Sequence, residues 1–114
     1  MNINSFIEKL NKSPESIDFA DTIAVIEENY VFEPTAFENG VLHNAAGENS
    51  GSCKLFAFAE LHNLSEAATL CFFGAYYYDD VLKNPEGTNH QNIRNFMKTG
   101  WEGIAFYGSP LVSK

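Results

Sequence analysis

A helix-dominated α+β domain, with about four to five helices and a minor β-hairpin or short sheet, is the fold class this sequence predicts. Three observations lead there. Apolar residues recur at helical spacing through residues 2–30, the mark of amphipathic helices. An Asn39-Gly40 pair sits among apolar residues, a strong short hairpin signal because both residue types accept positive φ. Pro14, Pro34, Pro85 and Gly100 then cut the chain into short segments. At 114 residues the chain is a single domain, 1–114, with no room for two independent cores.

Taken in order, Ile3, Phe6, Ile7 and Leu10 follow the i, i+3, i+4, i+7 pattern of a helix over 2–12. Ser13-Pro14 breaks it, Pro being suited to the first position of a short helical turn. Asp18 is placed as the N-cap of a second helix with Asp21 in its first turn. Its expected buried stripe is Phe19, Ile23, Ile26 and Tyr30, with Glu27 and Glu28 toward water. Residues 30–34 are β-branched and aromatic, and Pro34 stops any helix passing through them. A hairpin turning at Asn39-Gly40 follows, flanked by Phe37 and by Val41-Leu42.

After a polar loop comes a helix over about 52–63, then a long helix from an N-cap at Ser65 through Leu82, closed by 85–87. Gly74 in its middle predicts close packing against another backbone, since glycine there costs about 1 kcal/mol relative to alanine. Thr88 and Gln91 fit a capping box for a helix over 89–99, and Gly100 is placed to end it. Residues 103–107 read as a last short strand.

Composition narrows the function classes. The chain is 45% hydrophobic, with ten Phe and five Tyr, as expected of an ordered globular protein. The formal charge is −8. Nine acidic and two basic residues fall in 1–48, net −7, against six and five in 49–114, net −1. No basic face suggests nucleic-acid binding. No apolar run is long enough to span a membrane, and no Sec-type signal peptide is expected. Cys53 and Cys71 form no CxxC grouping, which fits reduced thiols in a cytosolic protein. His43, His62 and His90 share no metal-ligand spacing, so neither a metal nor a covalent cofactor is expected.

Residues 44–54 hold the chemistry. This loop, rich in Asn, Gly and Ser, delivers the chain into a helix whose first turn carries Cys53 and Lys54. Helix N-terminal N–H groups lack intrahelical partners and carry partial positive charge, so they bind anions or lower a thiol pKa. In a nucleophilic reading, Cys53 attacks an acyl group, His90 is its base, and Asn44 or Asn49 orients the imidazole or lines an oxyanion hole. In a binding reading, Asn44, Asn49, Ser52, Lys54, Arg94 and Trp101 join His90 around a small anionic ligand. Phe56, Phe58, Phe72, Phe73 and Tyr76 would supply its apolar wall. Beside both stands a structural reading, in which Cys53 is a small core hydrophobe, His90 makes a structural hydrogen bond and the aromatics are core.

Several stretches carry a resemblance across nearly the whole chain: residues 21–26 with Asn29-Tyr30, 34–37 with Asn39-Gly40, and Asn44, Gly47, Asn49 and 51–54. Thr69-Leu70, Phe73-Gly74, Val81-Leu82 and Pro85 continue it, and residues 90–97 with Gly100-Trp101 close it. In these the chain resembles the HopJ family of type III secretion effectors. The resemblance implies a bacterial protein made in the cytoplasm and delivered to a host cell, acting there on a host protein or other ligand. It implies no catalytic residue. A thiol-dependent enzyme of acyl transfer or hydrolysis, using Cys53 with His90, is the alternative drawn from chemistry.

Overall fold

The spacing of Ile3, Phe6, Ile7 and Leu10 produces helix α1 (Ile3–Lys12), with Phe6 and Leu10 buried and the Asn2 side chain capping its start through the Ser5 N–H. The computed structural model describes residues 2–114. A 3-10 turn at Pro14–Ser16 leads to α2 (Phe19–Asn29). Asp18 caps α2 in a reciprocal box with Asp21.

Of the stripe predicted for α2, Ile26 and Tyr30 are buried while Phe19 and Ile23 are only partly so, and Thr22 and Val25 are buried in addition. Thr22 enters the core because its hydroxyl finds acceptors there. It donates to the Phe72 carbonyl at 3.0 Å and to that of Asp18 at 3.3 Å, so no polar group is stranded.

Strands β1 (Tyr30–Phe32), β2 (Phe37–Asn39) and β3 (Leu42–Asn44) follow. The hairpin β2–β3 is present, but its loop is Gly40-Val41, since Asn39 pairs with Leu42. Gly40 lies at φ +63°, as the first loop residue of a type II′ turn requires. Asn39 is therefore a strand residue, and a fully buried one.

Helix α3 (Ser50–Leu61) buries Cys53, Leu55, Phe56, Ala57, Phe58 and Ala59. A helix apolar on all sides belongs inside a fold, and α3 is its axis. Phe56 is the hub, its ring 4.8 Å from Phe96 and 5.6 Å from Phe73. Ser65 caps α4 (Glu66–Cys71) through the Ala68 N–H.

The predicted long helix ends here. Gly74 takes φ +58°, and a Cβ on it would lie 2.8 Å from Asp18 Cα and 3.1 Å from the Ile17 carbonyl oxygen. The close backbone approach is present, but it breaks the helix instead of packing its middle. The chain resumes as a π-helical segment, Tyr76–Val81. Helix α5 (Gln91–Thr99) is amphipathic, and Gly100 ends it. Its N-cap is His90 and not Thr88; the Gln91 amide donates to the Thr88 carbonyl, so no capping box forms.

Strand β4 (Ile104–Phe106) matches the predicted last strand and completes an antiparallel sheet ordered β3-β2-β4. An unpredicted β5 (Leu111–Ser113) pairs antiparallel with β1. The whole is the expected α+β domain, helix-rich with two small sheets.

Gly74→Ala adds a Cβ to a left-handed residue pressed on the α2 N-terminus. Urea unfolding should give a stability loss of about 3 kcal/mol, whereas Gly47→Ala, with open space around it, should lose about 1 kcal/mol from φ strain alone.

Candidate functional site

Helices α3 and α5 both begin on one cleft. Their N-caps, Asn49 at φ +50° and His90 at φ +52°, are left-handed, and neither side chain caps its own helix. An N-cap ordinarily takes extended φ and ψ and returns its side chain to the first turn. A non-glycine residue in the left-handed region costs about 1–2 kcal/mol, and two of the three such residues among those described stand here. The first-turn N–H groups of Ser50, Gly51 and Ser52, and of Gln91 and Asn92, are thus without side-chain caps, and neither first turn carries an acidic residue.

An amide network, buried except at Asn49, fixes this convergence. The Asn49 amide leaves its own helix and donates to Asn44 Oδ1 at 2.7 Å. Asn92 donates to the same oxygen at 3.0 Å, and Asn44 donates back to Asn92 Oδ1 at 3.2 Å. Asn39 donates to Asn92 Oδ1 at 3.0 Å and to its backbone carbonyl at 2.7 Å. The hairpin β2–β3 is in this way tied to the start of both helices. Asn39 Oδ1 is the one buried side-chain polar atom without a partner among the described residues.

The cleft above the network holds about 540 Å³, within the range of small-molecule sites. Asn49, Ser52, His90 and Asn92 give it polar groups, and Phe19, Phe73 and Tyr76 an aromatic wall. His90 Nε2 donates to the Asp80 carboxylate at 2.9 Å, and its ring lies 5.1 Å from that of Tyr76. That bond fixes the ring and assigns Nδ1 as the nitrogen left to accept, or to donate when the ring is protonated.

Of the sequence-predicted residues, Asn49, Ser52 and His90 line the cleft, and Asn44 lies beneath it in the network. The other four are elsewhere. Cys53 is 1% exposed in the core and donates weakly to the Thr35 carbonyl at 3.6 Å. Helix α3 starts two residues before the predicted position, so the Cys53 N–H already bonds the Asn49 carbonyl. Burial pushes its thiol up from 9.0 to about 11, against the opposing pull of Lys54. Lys54 pairs with Glu27 at 3.0 Å and lies 4.9 Å from the centre of the Phe32 ring. Arg94 turns away from the cleft into the loop before α5, and Trp101 donates its indole N–H to the Leu64 carbonyl at 3.0 Å.

Phe56, Phe58 and Phe72 are core and do not line the cleft; of the expected wall, Tyr76 and the edge of core residue Phe73 do. Asn92 and Phe19 were missed as site residues. The signal for Asn92 was present, since an apolar-faced helix carried Asn at a position that its neighbours Ile93 and Phe96 mark as inward. No three or more His, Cys, Asp or Glu among the described residues are grouped to hold a metal.

Fold and cleft together define a small α+β protein whose candidate site is a pair of uncapped helix N-termini under an aromatic wall. The chain belongs to the HopJ type III effector protein family, whose model matches residues 3–111. It is 55% identical to VPA0580, a protein of unknown function whose crystal structure matches with a TM-score of 0.98 over 100% of this chain and 95% of that one. No curated protein matches.

The Cys53 thiol makes two predictions. A thiol reagent should modify partly exposed Cys71 in native protein and Cys53 only on unfolding. A raised folded-state pKa favours the neutral thiol, so its contribution is intact below pH 9.0 and is lost as pH rises toward about 11. Over that window the unfolding free energy of the wild type should fall more steeply than that of Cys53→Ala, measured by urea titration at each pH.

Proposed function

We propose that the protein works by binding a small anionic, aromatic-bearing ligand in the cleft between α3 and α5, without turning it over. The observation that carries this reading is the convergence of two helix N-termini, both left without side-chain caps and without first-turn carboxylates, on one cleft. Backbone N–H groups at such ends favour a phosphate or carboxylate. Phe19 and Tyr76, backed by the buried Phe73, offer a face for a ring attached to it. His90, when protonated, adds both an Nδ1–H donor and a positive charge beside the same groups.

A thiol enzyme finds less support. A nucleophilic cysteine needs a thiolate and access, and Cys53 has a thiol pushed to about 11 inside the core. It does not line the cleft that His90 lines. Ligand recognition needs none of this.

Membership of an effector family suggests delivery by type III secretion, and we place ligand recognition after that delivery, in the host cell. No helix among the described residues is long and apolar enough to cross a membrane. Export would require α1 to detach, since Phe6 and Leu10 are buried. An N-terminal reporter fusion in a secretion-competent strain tests delivery, with transfer expected and its absence contradicting it.

Phenyl phosphate is the probe for the site. Isothermal titration should give saturable binding to the wild type, weaker binding of inorganic phosphate, and weaker binding by Phe19→Ala. Ser52→Asp places the protein's own carboxylate on the α3 N-terminus. It should abolish binding while holding or raising thermal stability by about 0.5 kcal/mol. Equal binding by Ser52→Asp and wild type would overturn the reading.

A further inference from the structure

Four of the seven basic side chains are neutralised by ion pairs: Lys9 with Asp21, Lys12 with Glu8, Lys54 with Glu27 and Lys83 with Asp79. Apart from the C-terminal Lys114, the two that form no ion pair among the described residues are Arg94 and Lys98. Both line one groove of about 400 Å³, on the other side of Gln91 from the cleft described above. In a chain of net charge −8, two uncompensated cations in one place are a feature to explain.

Arg94 is 8% exposed. Its guanidinium donates to the carbonyls of Asn89, Asn84, Pro85 and Asp80 and to the Asn89 side chain, all neutral oxygens. These bonds satisfy its donors and fold the loop before α5, but they leave its charge in place. The carboxylates of Asp79 and Asp80 go to Lys83 and His90, and Glu86 does not line the groove. Lys98 is exposed at the end of α5 with its ammonium unpaired. The rest of the wall is apolar: Val81, Leu82, Pro85 and Met97.

We propose that this groove docks a segment of a partner protein in which an apolar side chain stands next to an aspartate or glutamate. The carboxylate pairs with Lys98 over the fixed charge of Arg94, and the apolar side chain enters between Leu82 and Met97. Leu82 and Met97 are 46% and 44% exposed. A peptide segment carries both groups this wall complements, a carboxylate for Lys98 and an adjacent apolar side chain for Leu82 and Met97. Methionine, flexible and polarisable, suits a surface that adapts to a peptide.

The test is unbiased selection of displayed random peptides on the full chain, followed by fluorescence anisotropy with the enriched peptides. The expected peptides carry a leucine, methionine or phenylalanine beside an acidic residue. Lys98→Glu and Leu82→Ser, both at exposed positions and with unchanged circular dichroism, should each weaken binding about tenfold. Exchanging the peptide's acidic residue for its amide should do the same. Lys83→Gln, outside the groove, and Ser52→Asp, in the other cleft, should leave binding unchanged, so this outcome is independent of the anion site. The proposal is overturned if no peptide is enriched, if enriched peptides lack acidic residues, or if Lys98→Glu binds as well as wild type. Sedimentation showing that the wild type self-associates and that Leu82→Ser does not would assign the groove to a second copy instead.

Discussion

Four asparagine side chains, Asn39, Asn44, Asn49 and Asn92, hold together parts of the chain that are far apart in sequence. Asn39, Asn44 and Asn92 are buried and bond one another out of water, and exposed Asn49 joins them through a part-buried bond to Asn44. Each such bond contributes about 1 kcal/mol net, but a donor or acceptor left alone costs about 1–3 kcal/mol. The arrangement is therefore close to all-or-none. Asn49, at the N-cap of α3 with a left-handed backbone, gives up the usual capping bond to join it. The site follows from that exchange. A helix start whose own cap residue bonds elsewhere leaves its N–H groups available to something else.

Helix α5 is what connects this network to the rest. Ile93 and Phe96 fix its inner face in the core, the latter against Phe56. Asn92 ties its start to the hairpin, and Arg94 gathers the loop that precedes it. One side of the helix faces the cleft shared with α3 and another the groove lined by Arg94 and Lys98, with Gln91 on both. The chain belongs to the HopJ type III effector protein family, and the two proposed sites, if both are used, would let it hold a ligand and a partner together.

Much of this was legible in the sequence. Helices α1, α2, α3 and α5, the caps at Asp18 and Ser65, the stop at Gly100 and the hairpin came from local rules, because local chemistry decides them. The misses share a cause. The break at Gly74, the entry of Thr22 into the core and the pairing of β5 with β1 depend on groups brought close only by the fold. In the same way, sequence placed Asn49, Ser52 and His90 near helix starts, and these meet at the cleft. Cys53, Lys54, Arg94 and Trp101 shared those segments but point elsewhere. Which side of a helix start faces its neighbour was set by the asparagine network, which no periodicity encodes.

The account rests on the two helix N-termini acting as one site, and a 1H–15N NMR titration with phenyl phosphate tests that most directly. The account predicts that the amide signals of Ser50, Gly51 and Ser52 and those of Gln91 and Asn92 move together and saturate at one dissociation constant. Movement confined to one helix, or signals that stay in place throughout, would contradict it.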